Sequence, residues 1–425
     1  MERIRLTTYG LLIFLYLLTS VEGLQTSNRI GAFGKIEYSS HALALKRFTG
    51  SHYFGDMEAN KIAELFDMSS EWWWDETRIR QVHQIRPDFK ALLYRNIRAI
   101  YNTRLEEWQT AFENNWLLRD ENGSYVYDTI YPRHSIVDIG NTSYQVWVAN
   151  WIREHINEYG YDGVFADWSL NILASGEFSG ASAIPINPRT GASWKDEEVK
   201  QALIQLHREI KKAIGSKVLV CNGIFVGSKF WRNYDGYTQF LLDSPLDGIM
   251  SEGLWYQYRG VWMTEENWLK SLNMLIWFQD NFLIGRPERV FVPTCKLESF
   301  TGEPYPLPSD ATKEQMATYA FASTLLSIKT NQTYFCLNAD VNFTTRVVQP
   351  MYKVVVGSPV SDYYVINGTH VYVRDFSKMK VLVNPTSNSY MVDLQEAFKT
   401  FSGEIVTEIT IEPHAGVILI KGEAP

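Results

Sequence analysis

From about residue 50 to residue 340, short apolar, β-rich runs alternate with longer segments of helical period. That alternation restricts the chain severely, because a strand reaches a parallel neighbour only through a crossover long enough to hold a helix. Eight candidate strands lie near His52 to Gly55, Leu65 to Ser69, Ala91 to Arg95, Gly163 to Asp167, Val218 to Asn222, Gly248 to Glu252, Val290 to Thr294 and Thr333 to Leu337. Ile30 to Ile36 is an alternative for the first. Eight such units predict an α/β fold, a (β/α)8 TIM barrel with insertions. A doubly wound open sheet is the competing topology, but no glycine-rich phosphate loop follows any of the strands.

Start and stop signals bound four helices. Asn141 or Thr142 caps one that ends at Gly160. Ser193, with Asp196 three residues on, opens another that places Val199, Leu203, Leu206 and Ile210 on one face and stops at Gly215. Thr264 opens a third through Trp268, Leu272 and Leu275, and Thr312 with Gln315 forms a capping-box pattern before Met316 to Ser327. Beyond about residue 345 the period changes to two. Asp362 to Val373, Lys380 to Val383, Tyr390 to Leu394 and Ile405 to Leu419 read as antiparallel strands separated by Asn-Gly, Asn-Pro and Ser-Gly turns. The expected organisation is a signal peptide over 1–23, a barrel over 24–345 and a small all-β domain over 346–425.

Met1 to Gly23 has the form of a signal peptide, since Arg3 and Arg5 precede the apolar run Tyr9 to Leu18, and the small residues Val21 and Gly23 stand where cleavage occurs. A retained N-terminal anchor is the alternative, although the run is short for a bilayer span. The mature protein is expected outside the cell or at its surface, with no integral membrane association after cleavage. Glycosylation sequons starting at Asn122, Asn141, Asn331, Asn342 and Asn367 fit export. Cys221, Cys295 and Cys336 form no close pair, which excludes a disulfide framework and a clustered zinc site and allows at most one bridge. A formal charge of -8 gives no electrostatic footprint for nucleic acid or an anionic membrane. Aromatic residues make up 14% of the chain, so part of them is expected on a binding surface.

In a TIM barrel the active site lies at the C-terminal ends of the strands, so chemistry is sought where polar side chains leave a strand. Two segments run in parallel: Tyr161-Asp-Gly-Val-Phe-Ala-Asp167 and Leu246-Asp-Gly-Ile-Met-Ser-Glu252 each start with an Asp-Gly turn and end five residues later in a carboxylate. Asp162 and Asp247 fall at strand entrances, where Asp-Gly is ordinary turn chemistry. Asp167 and Glu252 fall at strand exits, two strands apart, where side chains converge on a common cleft. Glycoside cleavage needs such a pair, one carboxyl to protonate the leaving oxygen and one to attack the anomeric carbon or activate water. A helix N-cap or a salt-bridge partner is the structural alternative for Asp167, and Glu71 and Glu298 compete for the role of Glu252.

Arg95, Asn96, Asn222, Lys296 and Asn338, at the other exits, can hold sugar hydroxyls or cap loops. Trp72, Trp73, Trp74, Trp168, Trp255, Tyr256 and Tyr258 offer flat faces to the C–H face of a sugar ring, or plug the barrel mouth. Of these, Trp168 and Trp255 directly follow the strands that bear the two acids and are expected to flank the substrate. The segment Gly176 to Ser193 is a candidate lid or a surface insertion. No His-x-x-x-His or Cys/His set occurs, so neither a catalytic metal nor a cofactor is indicated, and no Gly-x-Ser-x-Gly elbow supports a serine hydrolase.

The runs Ala91-Leu-Leu-Tyr-Arg-Asn96, Val137-Asp-Ile-Gly-Asn-Thr-Ser-Tyr144, Asp162-Gly-Val-Phe-Ala-Asp167 and Val218-Leu-Val-Cys-Asn-Gly223 resemble the glycoside hydrolases with an α-galactosidase-like barrel. Val373-Arg-Asp-Phe, Val381-Leu-Val-Asn-Pro-Thr386 and Ile411-Glu-Pro-His-Ala-Gly-Val-Ile-Leu419 are similar to the β-sandwich that closes many such enzymes. The resemblance covers most of the chain after residue 60. It implies an Asp after strand four as nucleophile and a carboxylate after strand six as acid/base, which map onto Asp167 and Glu252. The first reading is therefore a hydrolase of an α-linked polysaccharide or glycan, retaining by the matched positions and the resemblance together, and the charge of Asp167 is one way to hold Glu252 protonated. A non-catalytic carbohydrate-binding or surface protein on a degenerate barrel is the other class of function. It would keep the aromatics without needing two acids in one cleft.

Overall fold

The computed structural model describes residues 46–50, 57–71, 76–129, 131–168, 181–224, 226–257, 260–297, 307–338 and 355–421. Eight parallel strands close a barrel: β1 Lys46–Gly50, β2 Met68–Glu71, β3 Lys90–Asn96, β4 Gly163–Asp167, β5 Val218–Ile224, β6 Gly248–Ser251, β7 Val290–Lys296 and β8 Tyr334–Asn338. Each pairs with the next in chain order, and β8 returns to β1. The surrounding helices are α1 Ala59–Leu65, α2 Glu76–Ile85, α3 Leu105–Glu113, α4 Thr142–Tyr159, α5 Asp196–Ile214, α6 Gly227–Arg232, α7 Tyr234–Asp243, α8 Glu265–Trp277 and α9 Lys313–Leu325.

Six strands fall within a residue or two of the positions expected from the apolar runs. The first two differ. His52 to Gly55 and Ile30 to Ile36 lie outside the described residues, and β1 is Lys46–Gly50, whose single large apolar residue gives no run to detect. Its place is fixed by pairing to β8 and β2. The second strand begins at Met68 because Ile62 and Leu65 are buried on α1, so the apolar run there starts in a helix.

Side-chain alternation sorts each strand into an inner and an outer row. Met68, Leu92, Tyr94, Phe165, Val218, Val220, Met250, Val290, Val292, Tyr334 and Cys336 fill the barrel. The residues between them pack outward against the helices. Asp162 and Asp247 do the same work at two entrances. Asp162 accepts the Ala91 N–H at 2.8 Å and pairs with His83 at 3.0 Å, while Asp247 accepts the Leu219 N–H at 2.8 Å and pairs with Lys211 at 2.6 Å. Each carboxylate thus ties its own strand to the preceding one. A Cβ on Gly163 would stand 2.1 Å from the Val218 carbonyl oxygen, so strand spacing demands glycine there.

The helix signals hold in chemical detail. The Asn141 side chain accepts the N–H groups of Ser143 and Tyr144 to start α4, which stops at Gly160 in the left-handed conformation. Thr264 and Thr312 cap α8 and α9 in the same manner. α5 starts two residues later than a Ser193 cap implies: Lys195 is its N-cap residue, and the Glu198 carboxylate accepts the Lys195 N–H at 3.0 Å.

The C-terminal strands β9 Tyr364–Val365, β10 Tyr372–Asp375, β11 Met379–Asn384, β12 Tyr390–Lys399, β13 Ile405–Ile411 and β14 Ala415–Lys421 form a single antiparallel sheet in the order β9-β10-β11-β14-β12-β13. Instead of the two facing sheets of a sandwich, one sheet serves two cores. Val371, Val373, Leu382, Val392, Leu394, Phe398, Ile411 and Leu419 make one, while Val381, Val383 and Ile418 join the barrel's outer core. Gly416 allows close approach to α9, since a Cβ there would lie 2.7 Å from the Ala322 Cβ. Arg374, buried, donates to the carbonyls of Leu326 and Ile328 at 2.8 and 2.7 Å and latches the sheet to the end of α9.

Candidate active site

The inner rows deliver polar residues to one end of the barrel. On β3, Asn96 continues the row of Leu92 and Tyr94, and it pairs in register with Asp167 on β4. Asn222 stands two residues past Val220, Glu252 two past Met250, and Lys296 continues the row of Val292 in register with Asn338. Alternation alone therefore brings Asn96, Asp167, Asn222, Glu252 and Lys296 to the mouth, with Asn338 at the matching register position.

Asp167 is buried and fully engaged. Its Oδ2 accepts the Tyr94 hydroxyl at 2.5 Å, and its Oδ1 accepts the Asn222 Nδ2 and the Trp168 backbone N–H, each at 2.9 Å. Burial first, and the charge of Glu252 second, push the Asp167 carboxyl above its ordinary value, while the three hydrogen bonds pull it back. Burial and the neighbouring Asp167 charge hold the Tyr94 hydroxyl well above the usual phenol range, so it remains a donor. Glu252 is ion-paired with Lys296. The sequence pattern leads one to expect Asp167 to raise Glu252; what the structure shows is the Asp167 carboxyl raised, enclosed by the barrel wall with Glu252 nearby.

Other expected contacts fall elsewhere. Arg95 belongs to the outer row of β3, where its guanidinium pairs with Glu107 of α3 at 2.9 Å and lies 4.2 Å from the Trp151 ring centroid of α4. It is a layer-to-layer contact outside the cleft. Trp255 is fully buried, donates its indole N–H to Thr324 Oγ1 at 3.2 Å and packs beside Trp268, so it is a packing residue of the helical layer. Trp168 is only partly buried. Its ring adjoins His134 (5.7 Å) and Tyr131 (6.4 Å), on and beside the hairpin Ala99–Tyr101 and His134–Ile136 that follows β3. Burial pushes His134 down to about 4, which keeps that imidazole neutral near pH 7.

Glu71 pairs in register with Leu93, a residue of the outer core, whereas Glu298, Trp72, Trp73, Trp74 and Tyr258 lie outside the described residues, and of Tyr256 only the backbone, in a short strand, is described. Of the candidate lid, residues 176–180 lie outside them too. The remainder is tied down: Ser182 N–H bonds the Tyr127 carbonyl, Ile186 N–H the Arg119 carbonyl, and Arg189 grips Asp138. Tyr94 is the site residue that reading the strand exits overlooks. Its signal was its place in the inner row, two residues before Asn96 and one strand from Asp167. Arg98, behind Trp168, left none. Among the described residues no three His, Cys, Asp or Glu side chains gather to hold a metal ion, and no helix is long and apolar enough to cross a membrane.

No curated protein sequence matches this chain. Among solved structures it is similar to a noncanonic maltogenic α-amylase, AmyB, of Thermotoga neapolitana, with TM-score 0.52 and 10% identity over 89% of this chain and 99% of that one. Amy13B of Eubacterium rectale gives TM-score 0.53 and 9% identity over 91% and 98%. The α-amylase of Geobacillus thermoleovorans gives 0.51 and 10% over 89% and 99%. At these identities the likeness is one of fold. The family described as hypothetical glycosyl hydrolase family 15 matches residues 83–380, well over half of the 425. The chain therefore belongs to that family: it is a glycoside hydrolase, a TIM barrel with a C-terminal all-β sheet, acting on carbohydrate.

Proposed function

We propose that the enzyme cleaves an α-linked O-glycosidic bond of a polysaccharide or glycan with retention of configuration. In this reading Asp167 attacks the anomeric carbon, and Glu252 protonates the leaving oxygen and then activates water. The observation that carries it is the enclosure of Asp167 by the Tyr94 hydroxyl, the Asn222 amide and the Trp168 N–H. These neutral donors orient the carboxylate and favour its ionised form. To act as the acid, Glu252 must first leave its ion pair with Lys296 and take up a proton from solvent, and an arriving sugar hydroxyl offers Lys296 another partner.

Two further atoms support a sugar at the mouth. Among the described residues, Asn222 Oδ1 and Asn96 Nδ2 are buried with no hydrogen-bond partner, a cost that a bound hydroxyl acting as donor to one and acceptor from the other would relieve. The α linkage rests on the resemblance of the strand motifs and on the likeness to α-amylases. Purified enzyme assayed on aryl α- and β-glycosides and polysaccharides, beside Asp167→Asn, tests the reading. Turnover of α-glycosides that Asp167→Asn lacks, with retained anomeric configuration by NMR, is expected. Near-normal activity in Asp167→Asn removes the assignment, and an inverted product keeps the pair while changing the mechanism.

We also propose that the protein is exported, with Met1 to Gly23 removed, and carries glycans. Asn122, Asn331 and Asn367 are exposed, as acceptor sites must be. N-terminal sequencing of secreted protein should begin near Leu24, and recovery of intact Met1 in a membrane fraction would make the segment an anchor.

A further inference from the structure

Arg98 is one of the largest fully buried side chains in the molecule, 1% exposed, and its place is unusual for a cation. Two residues past the end of β3, the Asn96 Oδ1 accepts the N–H groups of Arg98 and Ala99, both at 3.0 Å, and turns the chain out of the barrel. The Arg98 guanidinium carbon then lies 4.1 Å from the centre of the Trp168 ring. Its nearest acid among the described residues is Asp128, at 3.9 Å and equally buried, and its Nε and Nη1 find no acceptor among them. A buried guanidinium with two unpaired N–H groups costs stability. Such a cost persists where function requires it.

The Trp168 backbone supplies the requirement. Its φ is +65°, in the left-handed region, which is strained for a non-glycine residue. In that conformation its N–H donates to Asp167 Oδ1 at 2.9 Å. The ring is clamped, with Arg98 over its face and the His134 ring at its edge. Remove the clamp and the backbone is free to relax to negative φ, taking the N–H away from the carboxylate.

We propose that Arg98 is a positioning residue for Asp167: it holds the Trp168 ring, and through it the Trp168 N–H on the carboxylate. This rests on the reading of Asp167 as the nucleophile. Charge acts in the same direction. Burial pushes Arg98 down to about 10, and the charges of Asp128 and Asp167 act to hold it up; by the same Coulomb interaction the guanidinium favours ionised Asp167. The other titratable groups that act on Asp167 are Tyr94 from β3, Tyr101 from the hairpin and Glu252 from the β6 exit, with Lys296 behind Glu252.

The test reads the carboxyl itself, without a substrate. Full-length protein carrying 13C at the Asp carboxyl carbons is titrated by NMR, with the Asp167 signal identified by its loss in Asp167→Asn. Arg98→Met should raise the Asp167 midpoint by about one pH unit, a tenfold gain in proton affinity, and Arg98→Lys should recover part of that shift by restoring charge without the flat stacking face. An unchanged midpoint in folded Arg98→Met overturns the proposal. Should Arg98→Met fail to fold, Trp168→Leu decides, since it leaves the cation and removes the ring it holds: a raised midpoint supports the positioning role and an unchanged one ends it. Failure of the nucleophile reading looks different, as an Asp167→Asn enzyme that still turns over α-glycosides.

Discussion

The exits of β4 and β6 begin from the same sequence pattern and end in different environments. Both strands open with Asp-Gly, both entrance aspartates brace the preceding strand, and both exits carry an acid followed by tryptophan at the next position or three on. At the β4 exit the acid accepts hydrogen bonds from neutral donors, and the tryptophan stays partly exposed in left-handed backbone beside the cleft. At the β6 exit the acid meets a cation, and Trp255, also left-handed, is driven into the helical layer against Thr324 and Trp268. The contrast suits a division of labour. A nucleophile must be fixed in place, whereas an acid/base must exchange partners twice in each cycle.

Substitutions at the two exits should separate accordingly. Asp167→Asn should lower kcat by about ten thousandfold with an unchanged fold, read as turnover of an aryl α-glycoside together with thermal unfolding. Trp255→Ala should act on stability alone, costing about 3–5 kcal/mol in denaturant unfolding because it empties a fully buried site. Trp168→Ala should do the opposite, weakening substrate binding more than it lowers Tm, and equal loss of stability at the two tryptophans would erase the contrast. Glu252→Gln should slow substrates with poor leaving groups by about a hundred- to a thousandfold and activated ones less, with azide restoring the later step.

The smallest change is Tyr94→Phe, about tenfold in kcat. Its sign on pH is definite. The phenol O–H stabilises ionised Asp167, so its removal raises a carboxyl that burial and Glu252 already push up, and the acid limb of kcat/KM should move to higher pH. A limb that moves to lower pH would mean that ionised Asp167 is not the form that acts.

Much of this was legible in the sequence. The βα alternation gave the barrel, and the paired Asp-Gly turns gave the register that puts Asp167 and Glu252 on the inner row. Period two at the exits would also have separated Asn96 from Arg95, adjacent residues on opposite faces of β3, had the row been counted from Leu92. What stayed hidden depends on contacts between distant segments. Lys46–Gly50 is a strand because its neighbours need one. Trp255 is buried because α9 offers Thr324, and Arg98 lies behind Trp168 because an asparagine at a strand end turns the chain. No local pattern records those encounters.

The central claim is that the acid at the β4 exit, and not the one at β6, forms the bond to sugar. An activated fluoro-sugar of the anomeric configuration that the enzyme turns over should trap a covalent glycosyl-enzyme, and peptide mass spectrometry then locates the label. The account predicts a label on the peptide at Asp167, absent from Asp167→Asn and still formed by Glu252→Gln when the leaving group is good. A label on Glu252 would contradict it and exchange the roles of the two exits.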